Sequence, residues 1–268
     1  MSSAQELHKI ANRMRADVLE MVYRASAGHV AGPLSSADLF AVLYFGGSVD
    51  WTQDKVILSC GHYCPIQYSA LAHAGYFPTE ELKTFMVAGS RLPGHPERGS
   101  VPGIEVSTGP LGQGVSVATG MALGIKLKGE RGGKVFCVIS DGELQEGQVW
   151  EAFNFAAARQ LDNLIFVLDR NKIQIEHYVS EIVNNGEIPG RLEAFGLHVF
   201  ETNGNDIELL RKTIEKAREV IGAPAMIIMD TVAGKGVSFM ENKPVWHDKV
   251  PTKQELQAAL EELGVSDE

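Results

Sequence analysis

Two apolar runs in this 268-residue chain end in the same kind of chemistry, and their spacing restricts the fold more than any other feature. Residues 135–140 read Val-Phe-Cys-Val-Ile-Ser and lead into Asp141-Gly142. Residues 164–168 read Leu-Ile-Phe-Val-Leu and lead into Asp169-Arg170-Asn171-Lys172-Ile173. Continuous apolar runs of this length suit strands buried on both faces, the habit of parallel sheets covered by helices. Gly142 and Asn171 are separated by 28 residues (143 through 170), room for one helix and one strand, so a βαβ crossover brings both strand ends to one edge of such a sheet. Asp141, the Asn171 amide oxygen and the Ile173 backbone carbonyl then offer three oxygens to a hard cation such as Mg²⁺, which takes the rest of its shell of about six from phosphate and water. Gly142 lets the chain turn and lets backbone approach a phosphate, and a helix expected over Gln148 to Arg159 aims its positive N-terminal end at the same place. An isolated Asp-Gly is ordinary turn chemistry. The paired strand ends make it a candidate diphosphate site.

The rest of the chain alternates in the same manner. Apolar periodicity predicts helices over Gln5 to Ser26, Ser35 to Tyr44, Gln67 to Ala74, Thr79 to Met86, Gly114 to Lys128, Gln148 to Arg159, Ile207 to Ile221 and Lys253 to Glu262, and strands over Lys55 to Ser59, Val135 to Ser140, Leu164 to Leu168, His198 to Glu201 and Ala225 to Thr231. The pattern is that of an α/β fold with a doubly wound parallel sheet flanked by helices. Thr252 and Glu255 form a capping box for the last helix, and Asn203-Gly204-Asn205-Asp206 supplies turn and cap residues before another. With no Gly/Ser/Pro-rich linker, residues 1–268 read as one domain.

Charge and cysteine content exclude several functions. A net charge of -10 argues against nucleic acid and anionic membrane, both of which need clustered Lys and Arg. The apolar runs fall far short of the roughly 20 residues that span a bilayer, and the N-terminal stripe of Leu7, Ile10, Ala11, Met14, Val18, Met21 and Val22 belongs to an amphipathic helix, not a secretory signal. Three cysteines give no disulfide framework and suit a reducing cytoplasm. Cys60, His62 and Cys64 offer zinc three ligands at unusual spacing without an evident fourth.

Asp-Gly followed after about thirty residues by Asn resembles the thiamine diphosphate signature, and Ser-Asp-Gly-Glu-Leu-Gln-Glu-Gly-Gln-Val-Trp-Glu-Ala from Ser140 to Ala152 is similar to transketolase in particular. Ser26-Ala27-Gly28-His29, Leu58-Ser59-Cys60-Gly61-His62, Gly94-His95-Pro96-Glu97, residues 107–114 (Ser-Thr-Gly-Pro-Leu-Gly-Gln-Gly) and residues 234–242 (Gly-Lys-Gly-Val-Ser-Phe-Met-Glu-Asn) resemble that family's N-terminal domain in the same order. The resemblance implies thiamine diphosphate with Mg²⁺, Ca²⁺ or Mn²⁺ as cofactors, and transfer of a two-carbon ketol unit from a ketose, often a phosphate, to an aldose. It covers only the diphosphate-binding domain. The pyrimidine-binding and C-terminal domains have no counterpart in these residues, so a split enzyme is expected: a second polypeptide carries the pyrimidine-activating glutamate, and the assembly is a dimer of heterodimers.

Site residues follow from the same resemblance, position by position. His29, His95 and His247 match histidines that line the substrate channel and hold ketose hydroxyls, with His29 and His247 the candidates for proton traffic. His247 also lies near the cofactor, and His62 matches a position beside the diphosphate. Gly109, Pro110 and Leu111 match backbone and side chain against the aminopyrimidine end; Gly142 and Asn171 belong to the signature, and Asp141, Asn171 and Ile173 to the metal. Glu146 matches a glutamate that reaches across the subunit interface, and it also reads as a first-turn acid complementing a helix dipole. His8, His73, His177 and His198 match no motif. Four departures stand out: Ser140 where Gly is usual, Val30-Ala31 after His29 where Pro-Gly is usual, Cys60 for Asn, and Asp248 for Gly after His247. A carboxylate beside a channel histidine raises that histidine's pKa or repels an anionic sugar, so an unusual ketose is a live expectation. Two other readings compete with this one. The first is a thiamine diphosphate-dependent component of another reaction, such as a 2-oxo acid dehydrogenase or a deoxyxylulose phosphate synthase relative. The second is a catalytically silent diphosphate-binding protein.

Overall fold

Val135–Ser140 and Leu164–Arg170 pair in parallel, with Ser140 opposite Asp169, so the two polar strand ends meet at one sheet edge as their spacing requires. The computed structural model describes residues 2–129 and 132–265. In chain order the helices are α1 (Ala4–Ala25), α2 (Ala31–Ser35), α3 (Ala37–Phe45), α4 (Cys64–His73), α5 (Gln113–Leu127), α6 (Gly147–Ala158), α7 (Val179–Ile182), α8 (Ile188–Ala194), α9 (Ile207–Arg218) and α10 (Lys253–Leu263). The strands are β1 (Lys55–Leu58), β2 (Val135–Ser140), β3 (Leu164–Arg170), β4 (Ile173–Gln174), β5 (His177–Tyr178), β6 (His198–Asn203) and β7 (Ala225–Asp230). Strands β1-β2-β3-β7-β6 form an all-parallel sheet in that order, and β4 and β5 a small antiparallel hairpin.

Period-two alternation sorts the strand side chains into two cores. Phe136, Val138, Ile165, Val167, Ile227 and Met229 point into one, which is closed by α1, α3, α4 and α9. Val135, Cys137, Ile139, Phe166 and Ile228 point into the other, against α5, α6 and α8. With both faces covered, no polar residue interrupts β2 or β3 before their ends, which explains the unbroken apolar runs.

Three expectations need correcting. The segment predicted as a helix over Thr79 to Met86 is a 3₁₀ helix, Thr79–Thr84, ended at Phe85. The helix predicted from Ser35 begins earlier and breaks in two: the Ser36 hydroxyl donates to the Gly32 carbonyl at 3.1 Å, competing with the backbone ladder between α2 and α3. After Asp141 the chain forms a 3₁₀ turn, Gly142–Gln145, so α6 starts one turn away from the Asp-Gly pair. Among the described residues no helix is long and apolar enough to cross a membrane.

Candidate active site

The floor of the site is built from the ends of β2 and β3. Asp141 is buried; its Oδ1 accepts the Gly142 amide at 3.0 Å and its Oδ2 the Lys172 amide at 2.7 Å. Lys172 itself takes a left-handed backbone, φ 69°, which turns the chain sharply after this bond. Beneath it lies a fully buried carboxylate, Asp169. Its Oδ2 accepts from Ser35 Oγ (2.6 Å), Tyr63 OH (2.9 Å) and Asn171 Nδ2 (2.9 Å), and its Oδ1 accepts from the Thr231 hydroxyl. Because the Asn171 NH₂ also donates to Tyr63 OH at 2.8 Å, the amide oxygen is left on the other side, where it accepts the Ile173 amide at 3.0 Å. The Asp141 and Asn171 oxygens are thus tied to the consecutive amides of Lys172 and Ile173 at the ends of β2 and β3.

This donor set fits a divalent cation. Burial, then the neighbouring Asp169, pushes the Asp141 carboxyl up to about 8 against the pull of the Lys172 and Gly142 amides, and burial likewise raises Asp169. No cationic side chain pairs with either carboxylate among the described residues. Two buried acids and a neutral amide oxygen without a counter-charge are the surroundings a hard cation relieves. The set mixes Asp, Asn and a carbonyl, so no group of three His, Cys, Asp or Glu marks it among the described residues.

Four histidines stand above that floor. His29 is edge-on to His62 (ring centroids 5.0 Å), His247 (5.1 Å) and His95 (6.4 Å), and His62 lies 5.5 Å from His247. They come from four separate segments, which is why no local pattern joins them. His247 is set by a 3₁₀ turn, Pro244–Trp246, and its carbonyl accepts the Val30 amide at 3.0 Å beside His29. The loop bearing His95 is pinned from α4: Cys64 Sγ donates to the Gly94 carbonyl (3.1 Å) and Tyr68 OH to that of Pro93 (3.0 Å). Burial, with the fields of His247 and His95, lowers His29 to about 4 while Asp248 pulls the other way; burial, then the other three imidazoles, holds His62 well below its ordinary value. Burial also lowers His95 and His247, the latter opposed by Asp248. At neutral pH these rings are uncharged and can each donate and accept one proton.

His29, His62, His95, Gly109, Leu111, Gly142, Ile173 and His247 all line a single cleft, with Asp141 and Asn171 buried at its base. Pro110 and Glu146 are outside that lining. Glu146 is exposed before α6, where its side chain makes no capping bond. The cleft also takes Tyr63, Ser140, Gln174 and Ile175, none of them picked out as site residues from sequence. Ile175 is 59% exposed and left-handed at φ 53°, a conformation costly for a β-branched residue and one that clusters at binding sites. His73 lies elsewhere, its Nε2 2.7 Å from Asp17 under α1. Cys60 and Cys64 are buried thiols that donate to carbonyls of Val138 and Gly94.

A family profile described as the transketolase, thiamine diphosphate binding domain, matches residues 7–268. The chain is 38% identical over 269 residues to one of the subunits of the apulose-4-phosphate transketolase of Actinobacillus succinogenes, covering 97% of each chain. It is 39% identical over 271 residues to a 6-deoxy-6-sulfo-D-fructose transketolase subunit of Clostridium sp., covering 98% of each. The transketolase structure from Campylobacter jejuni superposes with a TM-score of 0.92 at 35% identity over 99% of this chain, which spans 44% of that longer protein.

Proposed function

The chain belongs to the transketolase family, as its thiamine diphosphate-binding domain, and from that premise we propose that it is the N-terminal subunit of a two-chain transketolase. The observation that carries this reading is the convergence of four neutral histidines over a buried Asp141–Asn171–Ile173 floor. The bound cofactor supplies the carbanion chemistry by which a ketose C2–C3 bond is broken and a two-carbon unit transferred. This chain's residues do the rest. Asp141, Asn171 and the Ile173 carbonyl would hold Mg²⁺ and through it the diphosphate; Gly109 and Leu111 would face the rings. His29 and His247, uncharged at pH 7 and 5.1 Å apart, would take and return the proton of the ketose C3 hydroxyl, and His95 would hold hydroxyls of the two-carbon fragment.

Two relatives whose whole length this chain matches are named as subunits of enzymes for an apulose phosphate and a sulfonated fructose, which supports a separate partner chain carrying the pyrimidine-binding domain and an uncommon anionic ketose. A dimer of such pairs in the cytoplasm completes the reading: a cofactor shared between two kinds of domain favours symmetric assembly, and three buried free thiols suit a reducing compartment. The test is ketol transfer by this chain purified with and without that partner, given thiamine diphosphate, Mg²⁺ and a panel of phosphorylated, sulfonated and unmodified ketoses. Product should form only with both chains. Turnover by this chain alone, or none by the pair with any ketose, overturns the proposal.

A further inference from the structure

Glu143 is fully buried yet lines no part of the histidine cleft. It sits in the 3₁₀ turn after Asp141. Its Oε1 accepts Ser59 Oγ at 2.5 Å and the Gly112 amide at 2.6 Å, and its Oε2 lies 3.4 Å from the Ser140 amide. One carboxylate thus joins three segments: the end of β1, the glycine-rich loop before α5, and the end of β2.

The loop it grips leads directly to the cleft. Gly112 is left-handed at φ 82°, and a Cβ there would come within 2.7 Å of the Gln148 side chain, so the turn is tight and its amide points inward to Glu143. On the other side of Leu111 the loop lies backbone to backbone on β1's exit: a Cβ on Gly61 would come within 2.9 Å of the Gly109 nitrogen, and Thr108 Oγ1 donates to the Leu58 carbonyl at 2.8 Å. Between these fixed points, Gly109 and Leu111 face the cleft. The Leu111 carbonyl accepts from Gln148 Nε2 at a long 3.4 Å.

We infer that Glu143 is a positioning residue for the ring end of the cofactor: by holding Gly112 and Ser59 together it fixes Gly109 and Leu111 against the cleft, and it contributes nothing to the diphosphate end. The inference rests on the proposed cofactor. Its energetic basis is that a buried amide deprived of a charged acceptor loses a strong hydrogen bond and remains desolvated, so the loop would shift to find a partner. An acid in a polar turn reads as exposed from sequence, which is why nothing in the linear pattern marks this one.

The two ends of the cofactor can be probed separately by calorimetry on this chain assembled with its partner and Mg²⁺, using thiamine diphosphate and inorganic diphosphate. In Glu143→Ala, affinity for thiamine diphosphate should fall about tenfold or more, the scale of one lost hydrogen bond to a charged group, while affinity for inorganic diphosphate stays within about twofold. Glu143→Gln keeps an acceptor for the Gly112 amide and should recover most of the loss. Equal loss of both ligands in Glu143→Ala, unchanged thiamine diphosphate binding, or failure of Gln to recover it would each overturn the inference. If the wild-type assembly binds inorganic diphosphate but gains nothing from the thiamine rings, or binds neither, the cofactor proposal itself fails. Should the Ala variant not fold, the Gln variant and Ser59→Ala, which removes the other donor to Oε1, carry the same comparison.

Discussion

His29 and His247 stand edge to face, with ring centroids 5.1 Å apart and planes at 88°, and burial lowers the proton affinity of both. Burial and the neighbouring imidazoles hold His29 at about 4, below its unfolded value near 6.5. Between those two values the unfolded chain binds the proton and the folded chain does not. Stability tied to His29 is therefore fully present above pH 6.5 and is lost as the pH falls toward 4. Urea denaturation should give a wild-type midpoint that drops between pH 7 and pH 5, and a smaller drop in His29→Gln. Equal drops would mean that His29 is solvated as an ordinary histidine.

The His95 loop owes its place to Tyr68 and Cys64 and not to the cofactor floor. In the assembled enzyme His95→Ala should lower kcat/KM by roughly 10², the scale of a lost acid–base or hydroxyl-binding group, with cofactor affinity nearly unchanged. Steady-state kinetics beside a cofactor titration would separate the two. A loss of cofactor affinity as large as the loss of rate would move His95 from the substrate to the cofactor.

At the floor, Asp141→Asn replaces a charged ligand with a neutral one, and Tyr63→Phe removes the hydroxyl that accepts from the Asn171 NH₂ and donates to Asp169. Cofactor with Mg²⁺ at a hundred times its Kd should stabilise wild type by about 2.7 kcal/mol. Differential scanning calorimetry should show this gain almost abolished in Asp141→Asn. Tyr63→Phe should weaken metal affinity by about 10- to 100-fold, the usual effect of disturbing a group behind a ligand. A full gain in Asp141→Asn would place the metal elsewhere.

Much of the fold is legible in the sequence because periodicity and burial agree: Val135–Ser140 and Leu164–Leu168 are unbroken since helices cover both faces of their sheet. Elements without enough length to show a period are not legible. The β4–β5 hairpin has two residues per strand, and α8 has seven, with Pro189 and Gly190 in its first turn and Glu187 capping the Gly190 amide. The metal floor can be read from Asp141 and Asn171, which share one crossover, and the histidines only through resemblance, since they lie far apart in sequence. Asp169, Tyr63 and Glu143 escape a sequence reading for a common reason. Asp169 and Tyr63 act through buried hydrogen bonds to Asn171 and Glu143 through bonds to Ser59 and Gly112, and nothing in a linear sequence distinguishes an acid that will be buried from one that will be solvated.

Asp248 is the departure from the family pattern whose charge acts on the cleft histidines. It is exposed, follows His247 directly, and its charge works against burial on both His247 and His29. Removing it by Asp248→Gly takes away the one influence that raises these two imidazoles, so their proton affinity should fall further. In the assembled enzyme the acid limb of kcat/KM should then shift to lower pH. Loss of a negative charge at the rim should also ease the approach of phosphorylated and sulfonated ketoses relative to uncharged ones, more at low ionic strength than at high, because the carboxylate is exposed and its field is screened over about 10 Å at 0.1 M salt. Substrate ratios and pH profiles measured at two salt concentrations test both statements together. An unchanged profile and unchanged ratios would reduce Asp248 to a surface carboxylate; a shifted profile with unchanged ratios would confine it to tuning the histidines.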